Sequence, residues 1–287
     1  MNYVISGEDI NLDFFYNWIK EKDTILCAIL TGSRVSPNSE IDFLSDYDIQ
    51  LFVSDLEIFN INDDWLDEFG PVLVRWPLKP RSTFDPNWIT RLVLFQTGIR
   101  FDFQITTPEH FDPGSYDVGY QVLIDKIRLT KDIPVPTFTR FKVIKPSKGE
   151  YEDLVNEFWW EITYVAKYLW RKELPVAKYM LDTSLRYSHL HVMMEWYIGL
   201  KNKWTVSTGK NGSKFRAFFD ELEWKEYKST FTGPDIIDNW KALFNTAILF
   251  SRLAKYIAKG LGYDYPDETD KAVNEYCKKI QIKAISV

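Results

Sequence analysis

Asp46 and Asp48 flank Tyr47 at the head of an apolar run, and the run before it ends in a Gly-Ser pair, Gly32 and Ser33. Both lie in the stretch LTGSRVSPNSEIDFLSDYDIQLFVSDL, Leu30 to Leu56. Side chains alternate across a strand, so two acids spaced by one residue point to one face and can converge on a cation or a cation pair. A third acid, Asp102, alternates with Phe101 and Phe103 and shares a polar face with Arg100, Gln104 and Thr106. Three carboxylates on neighbouring strands repel one another unless something positive lies between them. Oxygen-only ligands favour a hard cation, and Mg²⁺ bound jointly with substrate phosphates is the usual solution. Taken alone, Asp46 and Asp48 read as ordinary solvent-facing residues of an edge strand. The Gly-Ser turn tips the balance: Gly32 permits a tight turn with outward amides and Ser33 adds a hydroxyl, a pairing able to hold phosphate oxygens.

Other chemistries find less support. The three histidines, His110, His189 and His191, form no HExxH or Cys/His pattern and read as structural or exposed. No GxxxxGK[ST] and no GxSxG occurs, so the turn is neither a Walker loop nor a hydrolase elbow. Cys27 and Cys277 are too far apart to suggest a disulfide framework. A formal charge of -6 and a pI near 5.3 argue against a nucleic-acid partner and suit a cationic small molecule. No run approaches the ~18 apolar residues of a membrane span, and the first residues lack a basic segment followed by an apolar core. A soluble, cytoplasmic monomer or homodimer is expected.

The elements that position these residues follow from periodicity. A chain of 287 residues with 45% hydrophobic content suits two units. Glu8 to Lys22 reads as a helix. Ile25 to Leu30, Tyr47 to Val53, Val72 to Trp76, Arg91 to Phe95 and Ile99 to Thr106 read as strands, with a short helix over Asn62 to Phe69 capped by Asn62 or Asp63. The proline-bearing stretch Asp132 to Ser147 marks a connection. Beyond it, Tyr151 to Lys172, Pro175 to Leu200, Pro234 to Leu261 and Asp267 to Lys279 are helical in texture, with Pro175 and Pro234 in first turns and Gly260 and Gly262 at an end. The expected fold class is α+β: a mixed sheet with flanking helices in residues 1–135, then a helical bundle in residues 148–287. A ligand site is expected in the groove between them.

A Gly-Ser turn after one strand, twelve residues from Arg34 to Ser45, an Asp-x-Asp opening the next strand and a third acid on a later strand resemble the nucleotidyltransferase superfamily that includes DNA polymerase beta. Beyond that signature, TGSRVSPN, DYDIQLFVSDLEIF, DDWLDEFGPVLV, EFWWEITYVAKYLWRKELPVAK and STGKNGSKF resemble the aminoglycoside 6-adenylyltransferases over nearly the whole chain. The helical half departs from the family in some acidic and aromatic positions.

The resemblance implies a nucleotidyltransferase-type first unit, a substrate-binding helical unit, and Mg²⁺-dependent transfer of AMP from ATP to a hydroxyl of streptomycin. Asp46 and Asp48 would hold Mg²⁺, in a two-ion arrangement, with Asp102 as a further ligand, as the base for the acceptor hydroxyl, or both. Gly32, Ser33 and Arg34 would bind the triphosphate, joined by Lys210 and Lys214 from the STGKNGSKF loop. In the helical half, Glu157, Glu161 and Tyr164 share a helix face and would suit a guanidinium-bearing drug, with Asp182 a further candidate. Trp159, Trp160 and Trp170 are assigned to the core, with one of them able to cover the drug. The alternatives are a lincosamide or spectinomycin as acceptor, or a non-catalytic nucleotide sensor. A nucleic-acid polymerase is disfavoured by the acidic charge.

Overall fold

The computed structural model describes residues 10–37, 39–82, 85–139 and 142–285 and divides into two compact units, Met1–Arg140 and Phe141–Val287. The first unit opens with α1 (Ile10–Glu21), followed by β1 (Ile25–Thr31), β2 (Tyr47–Val53), α2 (Glu57–Ile61), β3 (Val72–Ser82), β4 (Ile89–Phe95), β5 (Arg100–Thr106) and β6 (Gln121–Asp125). They form one six-stranded sheet in the order β3-β4-β5-β2-β1-β6. Only β2 and β5 pair in parallel; every other neighbouring pair is antiparallel. The five expected strands are present, and β6 is an additional edge strand that the periodicity of QVLID did not reveal.

Alternation gives the sheet two different faces. Tyr47, Ile49, Leu51 and Val53 of β2 and Phe101, Phe103 and Ile105 of β5 are buried against Phe15, Trp18 and Ile19 of α1. The opposite face changes character along its length. At one end Cys27, Ile29, Phe52 and Tyr116 bury one another, and Gln50 accepts a 2.6 Å hydrogen bond from the Tyr116 hydroxyl. At the other end the same face carries Asp48 and Asp102. The polar end is therefore left open by an apolar plug that stops short of it.

The 310 turn Asp64–Phe69 stands where a short helix was expected; Asp63 is at its N-cap position without a side-chain capping bond, and Asn62 Oδ1 just before it accepts from the Asp64 amide at 3.2 Å. Asp63 does something else. Its carboxylate meets the fully buried Arg91 guanidinium, which also donates to the Pro77 carbonyl, and Arg75 stands 3.3 Å away. A buried cation needs such a partner, so the acid is spent on burying Arg91 inside β4.

The second unit is helical: α3 (Lys148–Trp170), α4 (Leu174–Tyr179), a π-helical segment (Met180–Leu190), α5 (His191–Lys201), α6 (Phe215–Phe218), α7 (Glu221–Lys228), α8 (Ile236–Leu261) and α9 (Asp267–Ile285). A capping box starts α3, with Ser147 and Glu150 each bonding the other's backbone amide. Apolar stripes on α3 and α8 meet in the core, where the Phe158 and Phe250 rings stack at 3.6 Å. Two expectations are corrected. Pro234 precedes α8, whose cap is Asp235, accepting from the Asp238 amide at 3.0 Å. Trp159 is in the core, but Trp160 and Trp170 are 62% and 48% exposed, because they fall on the outer side of the stripe.

What reads as one helix from Pro175 to Leu200 is interrupted by the π segment. Five-residue spacing shows in the His191 backbone amide donating to the Arg186 carbonyl, and side chains follow it: His189 Nδ1 lies 2.8 Å from the Ser184 carbonyl and the Ser188 hydroxyl donates to the Thr183 carbonyl at 3.2 Å. His189 and His191 are both buried, as structural histidines would be. His191 Nε2 lies 2.7 Å from the Tyr227 hydroxyl, and burial, with Arg186 nearby, pushes the imidazole down to about 4 from 6.5. The imidazole is thus neutral in the fold, while the unfolded chain takes up its proton below about pH 6.5. Stability contributed by neutral His191 is present above that pH and is lost as pH falls toward about 4. Melting temperatures measured across this range should fall in the parent and fall less in His191→Gln; equal slopes would refute the assignment.

Candidate active site

The parallel register sets Asp48 of β2 directly beside Asp102 of β5. Both residues project from the open face, so two strands far apart in sequence present adjacent carboxylates. Thr31, the last residue of β1, pairs with Asp48 on the other side and donates its hydroxyl to the Asp48 carbonyl at 3.2 Å. The chain then turns at Gly32, which brings Gly32 against the same acid. Gly32 has φ +75°, and a methyl group added there would lie 1.9 Å from Asp48 Oδ2. A side chain at this position is thus barred both by backbone conformation and by the carboxylate that occupies its space.

Asp46 lies one residue before β2, carried by the turn that leads into it. Its carboxylate is pushed above the usual range by burial, with Asp102 adding to the effect and Arg100 and Arg34 opposing it. Arg34, expected on the triphosphate, is otherwise engaged. It donates from Nε to the Asp46 carbonyl at 3.1 Å and from Nη2 to the Ser45 carbonyl at 2.9 Å, and its guanidinium stacks 3.7 Å from the Tyr47 ring centre. It holds the head of β2, and with it the spacing of Asp46 and Asp48, because a planar donor fork suits two consecutive carbonyls.

A residue that the sequence reading left without a role stands among the acids. Arg100 grips Asp102 with both prongs, Nε to Oδ1 at 2.8 Å and Nη2 to Oδ2 at 2.9 Å, and its Nε lies 3.6 Å from Asp46 Oδ2. Hydrogen bonding to Asp102 raises its affinity for the proton, and the charges of Asp46 and Asp48 add to that. Its place on the polar side of the β5 alternation was the available signal. Among the described residues no three acidic, histidine or cysteine side chains are gathered as a ready metal cage. The donor set is nonetheless all carboxylate oxygen, and a guanidinium stands in for the cation it demands. Those residues fit a hard divalent ion.

The remaining candidates lie in the second unit. Lys210 is exposed at the tip of a loop whose backbone is left-handed at Gly209, Asn211 and Gly212, and Lys214 is half-buried at its end. The loop is tied down where the Lys214 amide meets the Thr208 carbonyl at 2.9 Å and the buried Thr208 donates to Glu195 at 3.1 Å. On α3, Glu157 lies 3.5 Å from His189 Nε2 and Glu161 accepts from Ser184 at 3.1 Å, so both acids border the π segment. Tyr164 lies under Lys167 Nζ, 4.2 Å from its ring centre. Asp182 is already paired twice, with Lys178 at 2.9 Å and with the buried Arg186. Its charge compensates that arginine, which also donates to Thr230 and stacks on Phe231.

Among the described residues no helix is long and apolar enough to cross a membrane. Residues 7–280 match the family model for streptomycin adenylyltransferase. A Bacillus subtilis (strain 168) protein named aminoglycoside 6-adenylyltransferase is 31% identical over 279 residues, 96% of this chain and 98% of its own length. A Campylobacter jejuni protein of the same name is 30% identical over 91% of this chain and 92% of its own. The crystal structure of an aminoglycoside 6-adenyltransferase from Bacillus subtilis aligns over 94% of this chain and 97% of its own, at 28% identity and a TM-score of 0.47. With the family model spanning nearly the whole sequence that carries the paired acids and the glycine turn, this chain belongs to the streptomycin adenylyltransferase family of enzymes.

Proposed function

We propose that the protein transfers AMP from ATP to a hydroxyl of a cationic aminoglycoside, with the 6-hydroxyl of streptomycin as the acceptor. The observation that carries this reading is the pairing of Asp48 with Asp102 beside the Gly32 turn. Asp46, Asp48 and Asp102 would hold magnesium, which when bound neutralises the triphosphate and favours in-line displacement. Gly32 and Ser33 bind phosphate oxygens, and Arg34 keeps the head of β2 in place. As the acceptor oxygen bonds to the α-phosphorus, the bond to the departing pyrophosphate breaks. The hydroxyl proton passes to the Asp102 carboxylate, the acid on β5. The second unit serves as the acceptor-binding unit.

Glu157 and Glu161 supply acceptor recognition, because a carboxylate meets guanidinium groups with two parallel charge-assisted bonds. Asp182, spent on Arg186 and Lys178, contributes by holding the π segment that these acids border. Glu161→Gln is expected to raise the acceptor KM about tenfold with kcat nearly unchanged, the loss of one hydrogen bond to a charged group. Steady-state kinetics over a range of drug concentrations would show it, and an unchanged KM removes Glu161 from the acceptor site.

Mass measurement of streptomycin after incubation with protein, ATP and Mg²⁺ tests the whole reading. A drug heavier by one AMP, with pyrophosphate released, supports it. Modification of spectinomycin or a lincosamide in its place would reassign the acceptor. ATP binding without transfer to any amino sugar or lincosamide would make the protein a nucleotide sensor.

A further inference from the structure

The acids of β2 and β5 do not face one another across an empty gap. Arg100 binds Asp102 in the two-pronged geometry that gives arginine its strongest carboxylate contacts, and it lies within ion-pair distance of Asp46. Its side chain is 42% exposed while that of Asp102 is 17% exposed. The guanidinium thus reaches over the acids from the solvent side and can leave by side-chain rotation, with no change in β5. A buried arginine such as Arg91, by contrast, has nowhere to go.

We propose that Arg100 is an internal counter-cation: it occupies the carboxylate site in the resting enzyme and must be displaced before a divalent metal can bind. The proposal rests on Asp46, Asp48 and Asp102 being the metal-binding acids. Guanidinium and metal compete for the same oxygens, and bare metal must push Arg100 away while adding a like charge beside it. A nucleotide arriving with the metal changes that balance, since its polyphosphate offers the released guanidinium a new set of anionic oxygens. Arg100 therefore makes metal binding conditional on nucleotide. It keeps the unloaded acids from repelling one another, and it withholds Asp102 from ligation or proton uptake until substrate is present. Arg100 acts as a positioning residue, through Asp102.

Mn²⁺ binding to the full chain, followed by electron paramagnetic resonance of the free ion, tests this with and without a non-hydrolysable ATP analogue. If Arg100 occupies the acids about nine-tenths of the time, its removal should tighten Mn²⁺ binding without nucleotide about tenfold. Arg100→Gln should show that gain and a smaller further gain on adding the analogue than the parent shows. Thermal melting in chelator should be lower for the variant, and added Mn²⁺ should raise it by more. Arg100→Lys keeps the charge but loses the fork, so it should fall between the two, and it carries the test should the glutamine variant not fold. Mn²⁺ affinity in the variant that is equal to the parent's or weaker overturns the proposal. Asp48→Asn separates this from the underlying reading. If it leaves Mn²⁺ binding unchanged in the parent and in Arg100→Gln, the metal assignment itself fails. If it abolishes binding while Arg100→Gln has no effect, only the counter-cation role fails.

Discussion

Asp48→Asn is expected to fold normally and to lose AMP transfer by about a thousandfold or more, equivalent to about 4 kcal/mol of transition-state stabilisation. Asparagine keeps the size and planarity of the side chain, so the β2 register with Thr31 of β1 and Asp102 of β5 should survive. What disappears is a negative charge at the point where both strands and the Gly32 turn meet. An amide oxygen is a poorer ligand for a hard dication than a carboxylate, and the deficit falls on the step in which the triphosphate gathers charge. Initial rates of pyrophosphate release at saturating Mg²⁺, read alongside a melting curve, are the measurement. Retention of activity to within tenfold of the parent would remove Asp48 from the metal site.

Gly32→Ala should lower stability modestly and activity severely, and the difference between the two is informative. Alanine at φ +75° costs about 1–2 kcal/mol in backbone strain, or a few degrees of melting temperature for a chain of this size. The added methyl would lie 1.9 Å from Asp48 Oδ2, 2.6 Å from its Cγ and 3.1 Å from its Cβ. Rotating the carboxylate relieves the first two contacts at little energetic cost, but it moves the acid out of the site. We expect kcat/KM to fall about a hundredfold or more, because sub-ångström placement of reacting groups is what the site supplies. A stable variant with nearly full kcat/KM would show that Asp48 can work from another rotamer.

How much of this was legible in the sequence depended on the range of the interaction. Odd-numbered apolar residues in β2 and β5 announced which face would be buried, and α1 covers that face. Helix stripes on α3 and α8 were legible for the same reason, since periodicity is a local property that burial amplifies. Edge strand β6 was not, because a five-residue strand owes its existence to pairing with β1. Nor was the π segment, whose buried positions Leu181, Leu185 and Leu190 differ little from an α-helical spacing. Arginine partners were the least legible. Arg34 goes to backbone carbonyls, Arg91 to Asp63, Arg100 to Asp102 and Arg186 to Asp182, and of these acids only Asp63 had been offered a structural role, as a possible cap. A long flexible side chain finds its partner only after the backbone has folded.

The sequence by itself determined the inventory: an acid on the polar face of each of two strands, a glycine followed by a serine after a third, and the alternation that keeps the acids out of the core. Those are consequences of residue type and period. Only the tertiary structure decided that β2 and β5 lie side by side in parallel with Asp48 opposite Asp102, and that Asp48 fills the space beside Gly32. It also decided that the chain's own Arg100 stands among those acids, on Asp102 and beside Asp46. Strand order and register are set by long-range packing of the α1 face, so no local pattern could specify which carboxylates would meet or which charge would come between them.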